Sequence, residues 1–230
     1  MQRLAVVVVL SAACGGARDD KPPDAIASCP VAPIAVTGEG TYYAADGTGS
    51  CSFEASSDHM VAALNAADYD HAAWCGACLA VTGPMGTIMV RVVDQCPGCA
   101  HGDLDLSKEA FAAISPLSAG RVPISWELVE CDVQGPISYQ FKSGSNAYWT
   151  AIQIRNHRYP IAKLEGKDAT GAYKAIDRAD YNYFVAASGL GPGPYALRVT
   201  DTRGHTVEDP AIALGDAVAR PGSSQFPACP

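Results

Sequence analysis

The sequence is short of positive charge. Sixteen Lys and Arg face 24 Asp and Glu, for a formal net charge of −8. That balance excludes the basic stripe of a nucleic-acid binder. No internal repeat is visible. No apolar run is long enough to cross a bilayer, which takes about 20 residues in a helix. The longest run, Leu4 to Leu10, is far shorter. It follows Arg3 and leads into the small residues Ser11-Ala12-Ala13-Cys14. A basic start, a short apolar stretch and small residues before a cleavage point make an export signal. Cys14 after two alanines resembles a lipoprotein box, although Ser11 stands where a large aliphatic residue is usual. Residues 1–14 are therefore read as a signal peptide of lipoprotein type, with plain secretion as the alternative. The expected location is extracellular or on the cell surface, with lipid on Cys14 as the only link to a membrane.

Nine cysteines in an exported chain point to an oxidising compartment. With Cys14 set aside, eight remain, an even number as disulfides require. Cys75-Gly76-Ala77-Cys78 and Cys96-Pro97-Gly98-Cys99 also have the spacing of a zinc ribbon. Export favours disulfides over metal, and no metal is expected.

Apolar residues make up 48% of the 230, enough for packed cores. Residues 15–36, rich in Gly, Ala, Asp and Pro, read as a flexible tether. Beyond them the charge steps. Residues 38–132 carry 13 acids and 3 bases, and residues 134–230 carry 8 acids and 10 bases. Two units follow, 37–133 and 134–230. In the first, 79–82, 87–94 and 124–129 read as strands, with Ile88, Val90 and Val92 alternating against Thr87, Met89 and Arg91. Two short helices are expected, Ser57 to Leu64 with Ser57 or Asp58 as cap, and Ser107 to Ile114 with Ser107 as cap. In the second unit, strands are expected at 137–141, 149–155, 161–164, 173–176, 184–187 and 195–200. Asp201-Thr202-Arg203-Gly204 reads as a hairpin connection. Many short strands at this spacing suggest a β-sandwich.

Three groups of residues could carry chemistry. Asp94 ends a β-rich run, and Asp103 and Asp105 precede a helix. Alternation sets Leu104 and Leu106 on one face and the two acids on the other. An acid in a partly apolar wall can act as a proton donor, or Asp105 can merely order the turn. Tyr148, Trp149 and Tyr181, with Lys142 nearby, offer flat rings that suit the CH faces of sugars. They could equally be sandwich core. In a regular strand only one of Tyr148 and Trp149 would face solvent, unless the pair precedes the strand or sits at a bulge.

Several motifs then fall in one order: Gly38-Glu39-Gly40-Thr41-Tyr42-Tyr43, Asp68-Tyr69, the Cys75–Cys78 pair, Val93-Asp94-Gln95-Cys96-Pro97, Gly102 to Ser107, Tyr148-Trp149, Ile154 to Pro160, Asp180-Tyr181-Asn182 and Val199 to Gly204. This series resembles the bacterial expansin family over residues 38–228. The resemblance implies a mainly β protein, a six-stranded double-psi β-barrel followed by an immunoglobulin-like β-sandwich that binds carbohydrate. It implies that Asp105 is the essential acid, supported in its groove by Thr41 and Asp94. A groove tyrosine of some members falls at Cys96, so that contact is missing or comes from elsewhere. The platform it implies is Tyr148, Trp149 and Tyr181 with Lys142 beside it. From cysteine-containing relatives it implies Cys51–Cys75 and Cys78–Cys131, which leaves Cys96–Cys99 and Cys29–Cys229.

The implied action is non-hydrolytic loosening of plant-type cell wall through contacts with cellulose and matrix glucans, by a monomer without a cofactor. Inverting hydrolysis needs a second carboxylate across the sugar, about 6.5–9.5 Å from the acid. In related family 45 endoglucanases that base lies near the first strand, where this chain has Thr41-Tyr42-Tyr43. Glu39 and Asp46 lie close in sequence and keep the question open. The alternatives are a glycan-cleaving enzyme of endoglucanase or lytic transglycosylase type, and a carbohydrate binder without loosening activity.

Overall fold

The computed structural model describes residues 35–228. Cys14 and the Cys29–Cys229 pair lie outside them. The first unit is a closed barrel of six strands in the order β1-β5-β2-β4-β3-β6. These are β1 (Val36–Tyr43), β2 (Val61–Asn65), β3 (Cys78–Gly83), β4 (Gly86–Cys96), β5 (Leu104–Ser107) and β6 (Val122–Val129). β1 pairs with β5, and β2 with β4, in parallel, and the other pairs are antiparallel. Leu64, Leu79, Leu104, Leu106, Phe111, Ile114 and Trp126 fill the interior.

The segment expected as a helix from Ser57 to Leu64 is instead a loop followed by β2. Neither Ser57 nor Asp58 caps a helix. The Ser56 hydroxyl accepts from the Asp58 N–H, and the Asp58 carboxylate from the Met60 N–H, which holds two tight turns. All five residues of β2 are buried. A strand covered on both faces reads as a continuous apolar run, which periodicity alone cannot tell from a helix. A four-residue helix, α1 (Ala66–Tyr69), follows it, capped by Asn65. The other expected helix is present as α2 (Lys108–Ile114), with Ser107 Oγ accepting from the Ala110 N–H at 3.1 Å. Ala110, Phe111 and Ile114 bury one face of it.

Among the described residues three disulfides close, Cys51–Cys75, Cys78–Cys131 and Cys96–Cys99. Cys75 and Cys78 take partners on different segments, so the two CxxC motifs do not converge on one metal.

The second unit is an eight-stranded sheet ordered β13-β12-β9-β10-β11-β8-β7-β14. Its strands are β7 (Ser138–Phe141), β8 (Thr150–Arg155), β9 (Ile161–Lys167), β10 (Tyr173–Ala179), β11 (Tyr183–Ala186), β12 (Tyr195–Asp201), β13 (Thr206–Ile212) and β14 (Ala219–Pro221). β10 pairs with β9 through Tyr173–Ile176 and with β11 through Asp177–Ala179. The crease therefore falls between Ile176 and Asp177. One core joins Tyr139, Phe141, Ile152 and Phe184 from one half to Leu164, Leu197, Val199 and Val207 from the other. The sheet is folded over on itself as a sandwich.

The units are locked together at Cys51, whose carbonyl accepts from Gln153 at 2.8 Å and Asn182 at 3.3 Å. Arg155 forks onto Glu54 at 2.6 and 3.0 Å. His157 is buried beside them, with Nδ1 2.8 Å from the Tyr159 carbonyl. Burial pushes its imidazole down to about 4, against the weaker opposing effect of that hydrogen bond. The unfolded histidine titrates near 6.5. Below that pH the unfolded chain takes up a proton that the folded chain refuses, so the stability due to neutral His157 is intact above about pH 6.5. It is lost as pH falls toward 4, at up to about 1.4 kcal/mol per pH unit. Urea midpoints measured between pH 7 and 4 should fall less steeply in His157→Gln than in the parent chain. Parallel slopes would contradict the assignment.

Candidate functional site

The barrel brings its acids together by register. Thr41 on β1 pairs with Asp105 on β5, Asp105 pairs with Ala63 on β2, and Ala63 pairs with Asp94 on β4. Thr41, Asp105, Ala63 and Asp94 thus form one row across four adjacent strands. Neighbouring strands are about 4.8 Å apart, so the two carboxylates stand two strands apart with the small Ala63 between them. Leu104 and Leu106 turn inward, as alternation requires, and Asp105 is half-buried on the outer face. The Thr41 hydroxyl donates to Asp105 Oδ1 at 2.6 Å.

Asp94 reaches the row through a bulge. β4 and β2 pair at Val92 with Ala62 and then at Asp94 with Ala63, which leaves Val93 as an extra residue. Val92 and Val93 are both buried, and Asp94 emerges on the face of Asp105. A bulge re-aims the side chains that follow it. Asp94 Oδ1 accepts from the N–H groups of Ser50 at 2.6 Å and Gln95 at 2.8 Å. Gly49 lies against it so closely that a Cβ there would stand 2.4 Å from the Asp94 carboxyl carbon.

Asp103 does not share this row. It precedes β5, and its carboxylate accepts from the N–H groups of Glu39 at 2.8 Å and Ala100 at 3.2 Å, tying a loop to β1. Glu39 is drawn to Arg121 at 2.6 Å. Asp46 is held by the hydroxyl and N–H of Thr48, which keep its carboxyl below the usual range.

One residue missed by sequence reasoning is Tyr43. It lies two positions beyond Thr41 on the same face of β1, a relation that alternation could have supplied. Its hydroxyl is enclosed and meets no hydrogen-bond partner among the described residues. Burial, then the charges of Asp94, Asp105 and Asp46, drive its phenol far above the ordinary range.

On the second unit, Tyr148 and Trp149 lie in the turn before β8, with Asn146 Oδ1 accepting from both N–H groups. They are therefore outside strict alternation. Tyr148 is 84% exposed and Trp149 is half-buried. Tyr181, 38% exposed, sits in the turn into β11, the strand beside β8. Lys142 Nζ stands 5.4 Å from the Tyr181 ring centre and 4.9 Å from that of Tyr183. Tyr183, also missed, is the buried ring that backs Lys142 and Tyr181, at 5.9 Å from the latter. Among the described residues no group of three or more His, Cys, Asp or Glu is placed to hold a metal ion.

Residues 36–126 match the profile of a family described as lytic transglycolase. Across most of its length the chain is 39% identical to Expansin-YoaJ of Bacillus subtilis, over 74% of this chain and 77% of that one. The chain belongs to the expansin family. It is also 27% identical to Expansin-like protein 1 of Dictyostelium discoideum, over 78% of this chain and 68% of that one. Among solved structures, the apo expansin of Clavibacter michiganensis aligns with a TM-score of 0.79 at 34% identity, covering 85% of this chain and 100% of the other. A mutant of the Clavibacter expansin in complex with cellohexaose aligns with a TM-score of 0.80 over the same shares. The double-psi barrel and folded sheet of this expansin are thus the two-unit fold of its relatives.

Proposed function

We propose that this expansin loosens plant-type cell wall without cutting glycan. In this reading, residues 37–133 engage a glucan through Thr41, Asp94 and Asp105, and residues 134–230 dock on cellulose through Tyr148, Trp149 and Tyr181 with Lys142. The observation that carries it is the partner of Asp105 in the row. A threonine hydroxyl, not a carboxylate, faces the acid. Cleavage with inversion would need a base able to activate water opposite the acid. Of the nearby acids, Glu39 pairs with Arg121 and Asp46 with Thr48, while Asp94, two strands from Asp105 in the row, gives one oxygen to two backbone N–H groups. Asp105 is then left to exchange hydrogen bonds with sugar hydroxyls, in competition with the contacts between neighbouring glucans. The complex of the Clavibacter expansin with cellohexaose supports a β-glucan as ligand. The action uses no cofactor. It takes place outside the cell, by a monomer held at the surface through lipid on Cys14.

The deciding experiment combines filter-paper weakening with reducing-sugar measurement on the pure protein. Weakening without sugar release is expected, and soluble products would overturn the reading. Docking is tested separately. Fully burying an aromatic side chain is worth about 1.5–3 kcal/mol, and one face about half of that. Each of Tyr148→Ala and Trp149→Ala should therefore weaken cellulose binding by about tenfold in a pull-down isotherm. Unchanged isotherms would remove these rings from the platform.

One observation favours a second reading. The matching barrel profile is that of a lytic transglycolase, and a reaction needing a single acid would suit Asp105. Release of soluble fragments from peptidoglycan would establish it.

A further inference from the structure

The loop 44–60 lends the Ser50 N–H to Asp94, and elsewhere it faces the sandwich. There it helps close a cavity of about 290 Å³, walled by Phe53, Val61, Val93 and Val133. None of the groove or platform residues borders this cavity.

Two polar groups at the cavity lack partners. His157 is only 4% exposed. Its Nδ1 faces the Tyr159 carbonyl at 2.8 Å, so Nδ1 carries the proton and Nε2 is left as an acceptor. Nε2 meets no hydrogen-bond partner among the described residues. Gly76, which also lines the cavity, keeps it uncovered, since a Cβ there would stand 2.8 Å from Nε2. Arg91 is exposed at the rim and has no carboxylate in ion-pair range among the described residues.

The other polar groups at the opening are engaged. Arg155 forks onto Glu54, and Asp58 accepts from the Met60 N–H at 3.0 Å. The Asn156 amide donates to the carbonyls of Gln134 and Pro136. The charges that reach His157 are those of Arg178 and Arg91, both cationic. The cavity is therefore apolar in its walls, positive in potential at its inner end and able to accept one hydrogen bond there.

We propose that this cavity binds a small aromatic carboxylate that carries a hydroxyl group. The carboxylate would pair with Arg91, the ring would lie among Phe53 and the three valines, and the hydroxyl would donate to His157 Nε2. The volume stands at the small end of ligand pockets, which run from about 300 to 1,000 Å³, and suits a single ring. A cationic ligand would meet Arg91 and Arg155 with both acids already engaged. A sugar would leave most of its hydroxyls against apolar walls. The proposal does not depend on the glucan reading.

Titration calorimetry with 4-hydroxybenzoate, benzoate and phenol tests this on the whole chain. 4-Hydroxybenzoate should bind about tenfold more tightly than phenol, which lacks the carboxylate, and about threefold more tightly than benzoate, which lacks the donor. Arg91→Met, at an exposed position, should remove the advantage over phenol and keep that over benzoate. Phe53→Ala should weaken all three probes by about threefold or more. Nitrogen-15 spectra read the site without a variant. The His157 Nε2 signal should shift with 4-hydroxybenzoate and far less with benzoate. Trp149→Ala should leave every affinity unchanged. No saturable binding of 4-hydroxybenzoate would overturn the site, as would an unmoved His157 signal or an undiminished advantage over phenol in Arg91→Met. Loss of binding in Trp149→Ala would place the probe on the platform and overturn it equally.

Discussion

Asp105→Asn should abolish paper weakening while cellulose pull-down stays within about twofold of the parent chain. The substitution keeps the size of the side chain and leaves an oxygen for the Thr41 hydroxyl to reach. It removes the negative charge and the capacity to hold a proton. Hydrogen bonds to an ionised acceptor are roughly twice as strong as neutral ones. Their loss takes away about 1.5 kcal/mol or more for each sugar hydroxyl engaged. At least a tenfold drop in the rate of weakening follows. The platform lies on the other unit and should not sense the change. A variant that weakens paper as the parent does would remove Asp105 from the action. A parallel loss of binding would mean that groove and platform do not work separately.

Replacing Cys78 and Cys131 together by serine should cost about 4 kcal/mol of stability, read as a fall in the denaturant midpoint. The bridge spans 53 residues, and chain entropy alone predicts a cost of that size for so long a loop. Both cysteines are buried and pack with Val129 and Val133 where the barrel passes into the sandwich. Serine would leave two hydroxyls in that apolar place. The pair Cys96 and Cys99 makes the internal control. Their bridge spans three residues beside the groove, and its removal should cost less than half as much. Equal losses from the two pairs would contradict an entropic origin.

Most strands were legible because their inner residues alternate or run apolar between turns. Ile88, Val90 and Val92 on β4, and Leu104 and Leu106 on β5, are examples. β2 was not, since its burial on both faces erases the alternation that marks a strand. The candidate site was legible in part. Asp105, Asp94 and Thr41 could be named from their motifs. Their alignment could not, because it depends on pairing between strands more than 60 residues apart in sequence for Thr41 and Asp105. Asp103 looked equivalent to Asp105 two residues away. It differs because it falls in the loop, where backbone N–H groups claim it. Tyr148 and Trp149 escaped the limits of alternation by preceding β8, a boundary one residue finer than sequence patterns resolve.

The extra residue Val93 makes the groove a matter of parity. Counted from Arg91, Asp94 would point inward if every residue of β4 took its own place on a regular ladder, and the bulge is what keeps it at the surface. Deleting Val93 would straighten the strand and leave the acid facing outward opposite Ala63, whereas pairing Val93 with Ala63 would turn the acid into the barrel. The outward aim of Asp94 is thus set by how two strands pair, and not by which residues the motif holds.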